Sequence, residues 1–379
     1  MSKQIDLKKI NQFILCKQHL TKDSKEKNEC VVKVTKDICG LHAQVATTPY
    51  LSLWNRVESF RKEVLKKELY EKRNLVKIWC MRRTVHIVPV EQVMEYYQAT
   101  KRVGGRKTFR IETIHKRILN TLDEKGPLTL QELNNHLLEL KNKVQTKYGE
   151  VYIGQQIVRE MCHSTLLVPS KPKGGWKSNL HTYSSFKKWL PSVNLQALNE
   201  FEAKKNVVLY YLSGFGPVTT EDISWWSGLN KRDIKKILNL REISDKIESI
   251  KIQGLDASFF ILKSDSKCLE RFSIRKGTVH LLPKFDPYIM GYKNRQRLIS
   301  PEYEKKVFCS TRGEINPTIL VNGFVIGFWN PKEEKNKIKV TLSFFEKINR
   351  VILDRIEEQA EKLAKFISDK NSEIIIEQP

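Results

Sequence analysis

The sequence has no apolar run of the ~18 to 20 residues needed to span a bilayer. Its start, MSKQIDLKKINQFIL, lacks the long apolar segment and the small-residue cleavage site of a secretory signal peptide. The seven cysteines are scattered, and they form neither a Cys-x-x-Cys pair nor a Cys/His spacing typical of zinc. We therefore expect a cytoplasmic protein without a membrane segment, whose cysteines are reduced core residues.

Acidic residues are scarce relative to basic ones: 43 Asp and Glu stand against 67 Lys and Arg, a formal net charge of +24. A positive field of this size attracts polyanions at long range, and nucleic acid is the natural partner. The alternative is a lysine-rich bias of the whole composition. The 379 residues, 40% of them apolar, are enough for two or three domains, or for one extended array, with a sizeable core.

A short motif occurs twice and marks the start of a helix each time. The two copies are GPLTLQEL at 126–133 and GPVTTEDI at 216–223. In each copy a threonine N-cap is followed three residues later by an acid, which is close to a capping box. Amphipathic stretches at 114–122 and 207–212 precede the two copies. Each unit is therefore predicted to be helix, tight turn, helix, which is how a helix-turn-helix begins.

Hairpins are predicted to follow both units. After a further helix at 152–165, strands at 166–168 and 180–183 form the first hairpin, and strands at 247–252 and 259–262 form the second. A generic helical domain with exposed hairpins is the alternative, but this order favours winged helices.

The tip of the first hairpin is basic and contains glycine. Lys171, Lys173 and Lys177 lie beside Gly174 and Gly175. This composition is typical of a wing that contacts phosphates.

A third hairpin is predicted near the C-terminus. In TILVNGFVIGFW (318–329), Asn322-Gly323 separates two β-rich runs and indicates a type I′ turn between largely buried strands. In one interpretation the tip, with Asn322, approaches a DNA groove, and in the other the hairpin is only structural. Apolar residues at helical spacing over 344–367 predict a long helix that packs on the sheet.

The candidate active-site residues lie in Gly40-Leu41-His42-Ala43-Gln44, just before the apolar run 45–54. His42 and Gln44 are neutral hydrogen-bonding side chains two residues apart. Such a pair positions a water or a polar leaving group, which suits a substrate that is already activated. The alternative is two ordinary polar residues near a core edge, on one face of a strand or about 200° apart on a helix.

A second polar set lies in MRRTVHIVP (81–89). In one interpretation Arg82, Arg83, Thr84 and His86 reach DNA from a strand close to the motif. The alternation of apolar and polar residues equally fits a half-buried strand whose polar side chains only face solvent.

Five blocks together resemble the AlkZ/YcaQ family of bacterial DNA glycosylases. They are GLHAQVATTPYLSLWNRV (40–57), VKIWCMRRTVHIVPVEQV (76–93), YLSGFGPVTTEDISWWSGL (211–229), HLLPKFDPYIMGYKNR (280–295) and NPTILVNGFVIGFW (316–329). The resemblance covers about residues 5 to 350, and the lysine-rich segment from about 351 lies outside it. It implies tandem winged helices in a C-shaped cluster that act on bulky alkylated bases and interstrand crosslinks.

In that family a Gln-x-Gln or Gln-x-Asp motif marks the active site, and the matching positions are His42 and Gln44. The first position departs from the motif and is similar to a His-x-Gln subset of the family. Alkylation at N7 makes a purine a good leaving group, so a water held against C1′ by Gln44 and by neutral His42 can complete hydrolysis. This predicts a monofunctional glycosylase that leaves an abasic site, without a lysine nucleophile, a Schiff base, a cofactor or a metal.

The predicted fold class is α+β, with tandem winged-helix units, a C-terminal β-rich element and a long helix. The predicted segments are 1–110 (first winged-helix unit with the motif), 111–200 (second unit), 201–265 (third unit) and 266–379 (C-terminal region). The expected partner of this monomer is double-stranded DNA with alkylated purines. The residues expected to bind it are Arg82, Arg83, His86, Lys171, Lys173, Lys177, Arg295 and Asn322.

Two other functions stay open from the residues. A non-catalytic winged-helix protein such as a transcription regulator is the main alternative, because winged helices most often only bind DNA. A regulator would usually dimerise on a palindromic site, whereas tandem units in one chain favour a monomeric enzyme. An RNA-binding factor is disfavoured, since the sequence has no RRM, KH or zinc-knuckle pattern.

Overall fold

Three times along the chain, a helix leads through a short strand or an isolated β-bridge into two further helices and a β-hairpin. This is the order of a winged helix, so the predicted tandem winged-helix units are confirmed. The division of the chain at residues 110, 200 and 265 stays a prediction. The computed structural model describes residues 4–101, 109–146, 149–274, 277–309 and 313–379.

The first winged helix follows a short N-terminal strand and helix. The elements are β1 (Gln4–Ile5), α1 (Leu7–Lys17), α2 (Val31–Asp37), β2 (Leu41–His42), α3 (Thr48–Arg56), α4 (Lys62–Tyr70), β3 (Leu75–Trp79), β4 (Val85–Pro89) and α5 (Val93–Thr100). The sheet has the order β2-β4-β3, and both pairings are antiparallel. The predicted motif therefore lies at the end of the short strand that joins the wing.

The second winged helix begins at residue 109. Its elements are α6 (Phe109–Lys125), α7 (Leu130–His136), β5 (Lys143–Thr146), β6 (Gly149–Tyr152), α8 (Ile153–His163), β7 (Leu167–Pro172), β8 (His181–Ser185) and α9 (Phe186–Trp189). The third comprises α10 (Glu200–Phe215), α11 (Thr220–Ser227), α12 (Lys231–Leu238), α13 (Arg241–Ser244), β9 (Ile247–Ile252), β10 (Leu255–Leu262) and α14 (Lys263–Arg271). Strand β1 pairs in parallel with β9, so the N-terminal residues extend the sheet of the third unit.

Both predicted capping boxes are confirmed. The Thr129 hydroxyl accepts the Glu132 N–H at 3.2 Å, and the Glu132 carboxylate accepts the Thr129 N–H at 2.7 Å. Thr219 and Asp222 make the same pair of bonds at 3.0 Å each. These bonds satisfy amides that the first helical turn leaves free, and they start α7 and α11 at the repeated motif.

The C-terminal region is built on a five-stranded sheet with the order β11-β14-β15-β16-β17. The elements are β11 (Val279–Leu282), α15 (Pro287–Met290), α16 (Pro301–Val307), β12 (Phe308–Cys309), β13 (Glu314–Ile315), β14 (Thr318–Val321), β15 (Phe324–Glu333), β16 (Lys337–Phe344), α17 (Arg350–Ile367) and β17 (Asn371–Glu377). The predicted hairpin around Asn322-Gly323 is confirmed as β14-β15. Among the described residues, no helix has the length and apolar character needed to cross a bilayer.

The long C-terminal helix starts later than predicted. Residue 344 ends strand β16, and α17 begins only at Arg350, because the Asn349 side chain accepts the Ile352 N–H at 3.0 Å and caps the first turn. Leu353, Ile356, Ala360, Leu363, Ala364 and Ile367 on its inner face are buried with the sheet. The segment from residue 351 onward therefore completes the C-terminal core.

The six cysteines whose side chains the structure describes are free, but not all of them are in the core. Cys39, Cys80 and Cys162 are buried, whereas Cys268 is exposed. The prediction of reduced core residues is therefore wrong for Cys268, which lies on the outer side of the amphipathic helix α14.

A buried ion pair joins the first unit to the C-terminal region. The Arg56 guanidinium contacts the Asp286 carboxylate through two bonds of 2.8 and 2.7 Å, and both side chains are fully buried. The Ser52 hydroxyl donates to the same carboxylate at 2.8 Å, and the Tyr288 N–H does so at 3.0 Å. Both oxygens of the carboxylate therefore accept two hydrogen bonds each, and α3 is fixed to the segment before α15.

Asp286→Ala tests this connection. The substitution leaves the Arg56 charge buried without a partner, and we expect it to lower the free energy of unfolding by about 3–5 kcal/mol. Urea denaturation measures the change. Asp354→Ala, which removes the partner of Arg350 from an exposed pair, is the control and should have little effect. An equally small effect of Asp286→Ala would contradict the proposed importance of the buried pair.

Candidate active site

His42 and Gln44 lie where the short strand β2 ends. His42 pairs with His86 across the sheet and is only 5% exposed, whereas the Gln44 side chain is exposed. The chain enters β2 through Gly40, whose φ is +97°, and a Cβ there would lie 3.0 Å from the Ile87 carbonyl oxygen. A glycine is therefore needed for this close approach to β4.

The His42 ring is held between two other rings. Phe285 stacks on it with a centroid distance of 4.5 Å and an interplanar angle of 21°, and His86 meets it edge-on at 5.2 Å and 76°. Phe285 has φ 59°, an uncommon backbone conformation for an aromatic residue. The adjacent Asp286 anchors this strained backbone, so the ion pair with Arg56 also positions the ring that covers His42.

Burial makes both histidines weak bases. It lowers the pKa of His42 well below the ordinary value of 6.5, and the nearby His86 and Arg82 lower it further. Burial likewise lowers the pKa of His86 to about 4. The His86 Nδ1 contacts the Thr84 carbonyl at 3.1 Å, which assigns the proton to that nitrogen. The His42 ring makes no hydrogen bond to any described residue, so it is available to a group in the cleft.

The cleft in front of the motif is formed by parts of the chain that are far apart in sequence. It is lined by His42, Gln44, Arg82, Thr84 and His86 of the first unit, and by Trp226 and Phe285 from later in the chain. The structure thus brings the predicted pair together with Arg82 and His86. None of the described residues that line the cleft is an Asp or a Glu, and no described group of three or more His, Cys, Asp and Glu residues could hold a metal ion.

Arginines lie on aromatic rings beside this cleft. The Arg82 guanidinium is 3.9 Å from the Trp225 ring centroid, and Arg295 lies 5.7 Å from the same ring and 3.7 Å from the Phe308 ring. Arg295 also forms an ion pair with Glu304 at 3.2 Å, whereas Arg82 is exposed and has no acidic partner in the described part of the chain. Stacking therefore orients the Arg82 guanidinium and leaves its donors open.

Sequence reasoning gave no role to Trp225 or Phe285. Both lie inside quoted sequence blocks, in SWWSGL and KFDPY, but only the tertiary contacts with Arg82 and His42 place them beside the candidate site. Two neighbouring tryptophans after a capping box were the available signal. Arg83 lies in the same turn as Arg82 and has φ 61°. It lines three neighbouring cavities but not the cleft itself.

The tip of hairpin β7-β8 differs from the expected free wing. Trp176 packs against Tyr50 of α3 and Phe366 of α17, with centroid distances of 5.4 and 5.9 Å. Lys173 is paired with Glu132 and Lys177 with Glu333, while Lys171 stays exposed and unpaired among the described residues. Two of the three predicted phosphate ligands therefore form ion pairs within the protein, and the tip is held against α3 and α17 by its aromatic residue.

The same hairpin supports the motif. The Asn179 side-chain oxygen accepts the N–H of Ala46 at 3.0 Å, two residues after Gln44. The wing of the second unit thus holds the loop that carries Gln44.

Asn322 has a structural contact. Its side-chain oxygen accepts the N–H groups of Gly277 and Thr278 at 2.8 and 3.2 Å. The next residue, Gly323, accepts the Tyr288 hydroxyl at 2.9 Å. These contacts fix the turn on the protein and favour the structural interpretation of the hairpin.

Comparisons with known proteins agree with this architecture. A family model described as DNA glycosylase AlkZ-like matches residues 35–366. The interstrand DNA cross-link repair glycosylase of Streptomyces sahachiroi is 21% identical over 351 residues, which cover 86% of this chain and 88% of that protein. The structure of the Streptomyces sahachiroi DNA glycosylase AlkZ matches with a TM-score of 0.76 at 19% identity, and covers 98% of this chain and 100% of that one.

The family match extends beyond residue 350, where the resemblance in the sequence was expected to end, and includes nearly all of α17. It also contains the motif with His42 and Gln44, the turn with Arg82, and the segment with Phe285. The chain therefore belongs to the AlkZ-like family of DNA glycosylases.

Proposed function

We propose that the protein hydrolyses the N-glycosidic bond of bulky N7-alkylated purines in double-stranded DNA, with a water positioned by Gln44 and His42. The observation that supports this is the pairing of an exposed carboxamide with a buried, neutral histidine in a cleft where no described lining residue is a carboxylate. Family membership supports an enzyme rather than the non-catalytic DNA-binding protein that the sequence had left open.

The chemistry fits a leaving group that is already cationic. An N7-alkylated purine departs as a neutral base, so no acid is needed to protonate it. The developing oxocarbenium ion at C1′ needs only an oriented water, whose protons the Gln44 side-chain oxygen and an unprotonated His42 nitrogen can accept. Charged His42 would repel that cation, and burial between Phe285 and His86 keeps the ring uncharged.

The exposed position of Gln44 suits a large adduct. A bulky or crosslinked base is difficult to rotate into a tight pocket, as base-flipping enzymes require. Gln44 lies at the surface of the cleft, where C1′ can be reached while the adduct stays outside. Unhooking of interstrand crosslinks is therefore part of the proposal, and one relative is named an interstrand DNA cross-link repair glycosylase.

Arg82 and Arg295 are the proposed phosphate ligands at the cleft. Their guanidinium groups flank Trp225, and Arg82 keeps its donors free for a phosphodiester. A monomer would suffice, since one lesion requires one cleft.

Gln44→Ala should abolish base release, with a loss of at least about 10²-fold, because the water loses its acceptor. DNA affinity should change little, since phosphate contacts supply most of it. His42→Ala should reduce release substantially. The measurement is alkali-revealed strand scission of a duplex with one defined N7-alkylguanine, at matched and saturating protein.

Two further variants make this experiment specific. Gln44→Glu keeps an oxygen acceptor at the same place and should retain more activity than Gln44→Ala. Gln253→Ala, on an exposed turn of the third unit, should behave as wild type. Parallel loss of binding and release in Gln44→Ala would indicate a folding role. Absence of release by the wild type from a panel of bulky adducts, with tight binding retained, would refute the proposed reaction.

The pH dependence tests the state of His42. Because its pKa lies well below 6.5, protonation of His42 should not reduce the rate between pH 8 and pH 6. A histidine with an ordinary pKa would lose activity about tenfold per pH unit below ~6.5. Single-turnover rates at saturating protein, corrected for spontaneous depurination, measure this. A decline centred near that pKa would show that His42 titrates as an exposed base.

A further inference from the structure

Gln44 also lines a second cavity, which lies between the first and second winged-helix units. Strand β3 contributes Lys77 to it, the turn before β4 contributes Arg83, helix α8 contributes Arg159, and strand β8 contributes His181. Helix α8 occupies the place of the recognition helix in its unit, the helix that enters a DNA groove in this class of fold. The cavity thus joins the proposed catalytic loop to the element most suited to meet DNA.

Lys77 is unusual because it is buried without a partner. The residue is 8% exposed, and its ammonium group forms no hydrogen bond or ion pair with any described residue. Burial alone lowers the pKa of its ammonium group to about 8. A buried charge lowers the free energy of unfolding unless it has a partner. A buried lysine without a partner is therefore expected where its charge binds a ligand.

The surroundings of Lys77 contain no counter-ion. Arg83 and Arg159 carry exposed guanidinium groups, and His181 is kept neutral because burial and the nearby Lys77 lower its pKa to about 3. None of the described residues that line the cavity is an Asp or a Glu, although Glu160 faces an adjacent cavity with Arg83 and Arg159. The group that would compensate Lys77 is therefore an anion from outside the chain.

We propose that this cavity binds one phosphodiester of the DNA beside the lesion, with Lys77 as its buried ligand and Arg83 and Arg159 as flanking ligands. The proposal rests on the proposed function, which places DNA at Gln44. A phosphodiester is favoured over a free anion because the cavity is continuous with Gln44 and faces α8. Lys77 would then anchor the strand at a fixed distance from the water that Gln44 holds.

The position of Lys77 on its strand explains why the sequence did not reveal it. Val76 and Ile78 point into the core of the protein, whereas Lys77 and Trp79 lie on the opposite face, which the second unit covers. A lysine in an alternating strand is ordinarily taken as solvent-exposed. Only the packing of α8 and β8 against this face turns it into a buried cation.

Lys77→Met tests the proposal with undamaged duplex, which separates it from catalysis. Loss of one phosphate contact should weaken binding roughly tenfold at low salt and make the slope of log K against log salt less steep by about 0.9. Fluorescence anisotropy over a salt series measures both. Lys267→Met, on the exposed face of α14 and outside this cavity, is the matched control and should keep the wild-type slope.

A scan with single methylphosphonates locates the contact. Each substitution neutralises one phosphate near a defined lesion, and one position should weaken wild-type binding but leave Lys77→Met binding unaffected. A wild-type salt slope and an unchanged methylphosphonate profile in Lys77→Met would overturn the proposal. If Lys77→Met loses the phosphate contact but the wild type releases no base from any adduct, the phosphate site is supported and the proposed glycosylase reaction is refuted.

The free energy of unfolding shows whether Lys77 binds phosphate or stabilises the fold. Lys77→Met should unfold at the same or a higher urea concentration than the wild type, because a desolvated charge is removed. Unfolded lysine titrates near ~10.5 and folded Lys77 near about 8, so the folded state binds fewer protons between these values. The stability of the wild type should therefore rise relative to Lys77→Met from pH 8 to pH 10. Destabilisation by Lys77→Met at every pH would indicate a structural role.

Discussion

The buried pair of Arg56 and Asp286 is the interaction on which the active-site geometry depends. It lies at the end of helix α3, which follows the motif, and at the start of α15, more than 200 residues later. The charge pair fixes the relative position of these two segments, and the residue next to Asp286 supplies the ring that covers His42. A single desolvated contact therefore joins the first unit to the C-terminal region and lies next to the residue that covers the histidine in the cleft.

The two cavities that share Gln44 have different electrostatic characters. In the first, neutral hydrogen-bonding groups face the place where a cationic transition state is proposed to form, and the nearest cation is stacked on Trp225. In the second, a buried ammonium and two guanidinium groups have no counter-ion among the described residues. A polyanion with one damaged base would meet positive charge at its phosphates and neutral acceptors at C1′, which is the pattern that the proposed glycosylase reaction requires.

Local signals predicted much of the fold, and long-range packing accounts for the rest. Both capping boxes and the Asn322-Gly323 hairpin depend on residues within a few positions of each other, and their structures agree with the sequence. The family motif led to His42 and Gln44. By contrast, the burial of Trp176 on α3 and α17 and the isolation of Lys77 arise from contacts between distant segments. No periodicity or composition contains that information.

The loop that carries Gln44 is supported from two sides. Asn179 of the second wing binds it directly, and Trp176 at the tip of the same wing is wedged between α3 and α17. A cleft braced in this way has little freedom to close around its substrate. Recognition would then depend on how easily the DNA duplex bends. Bending a duplex by a few tens of degrees costs about 1–6 kcal/mol. Lesions that weaken base stacking lower this cost, so a rigid cleft discriminates by how easily the damaged DNA deforms.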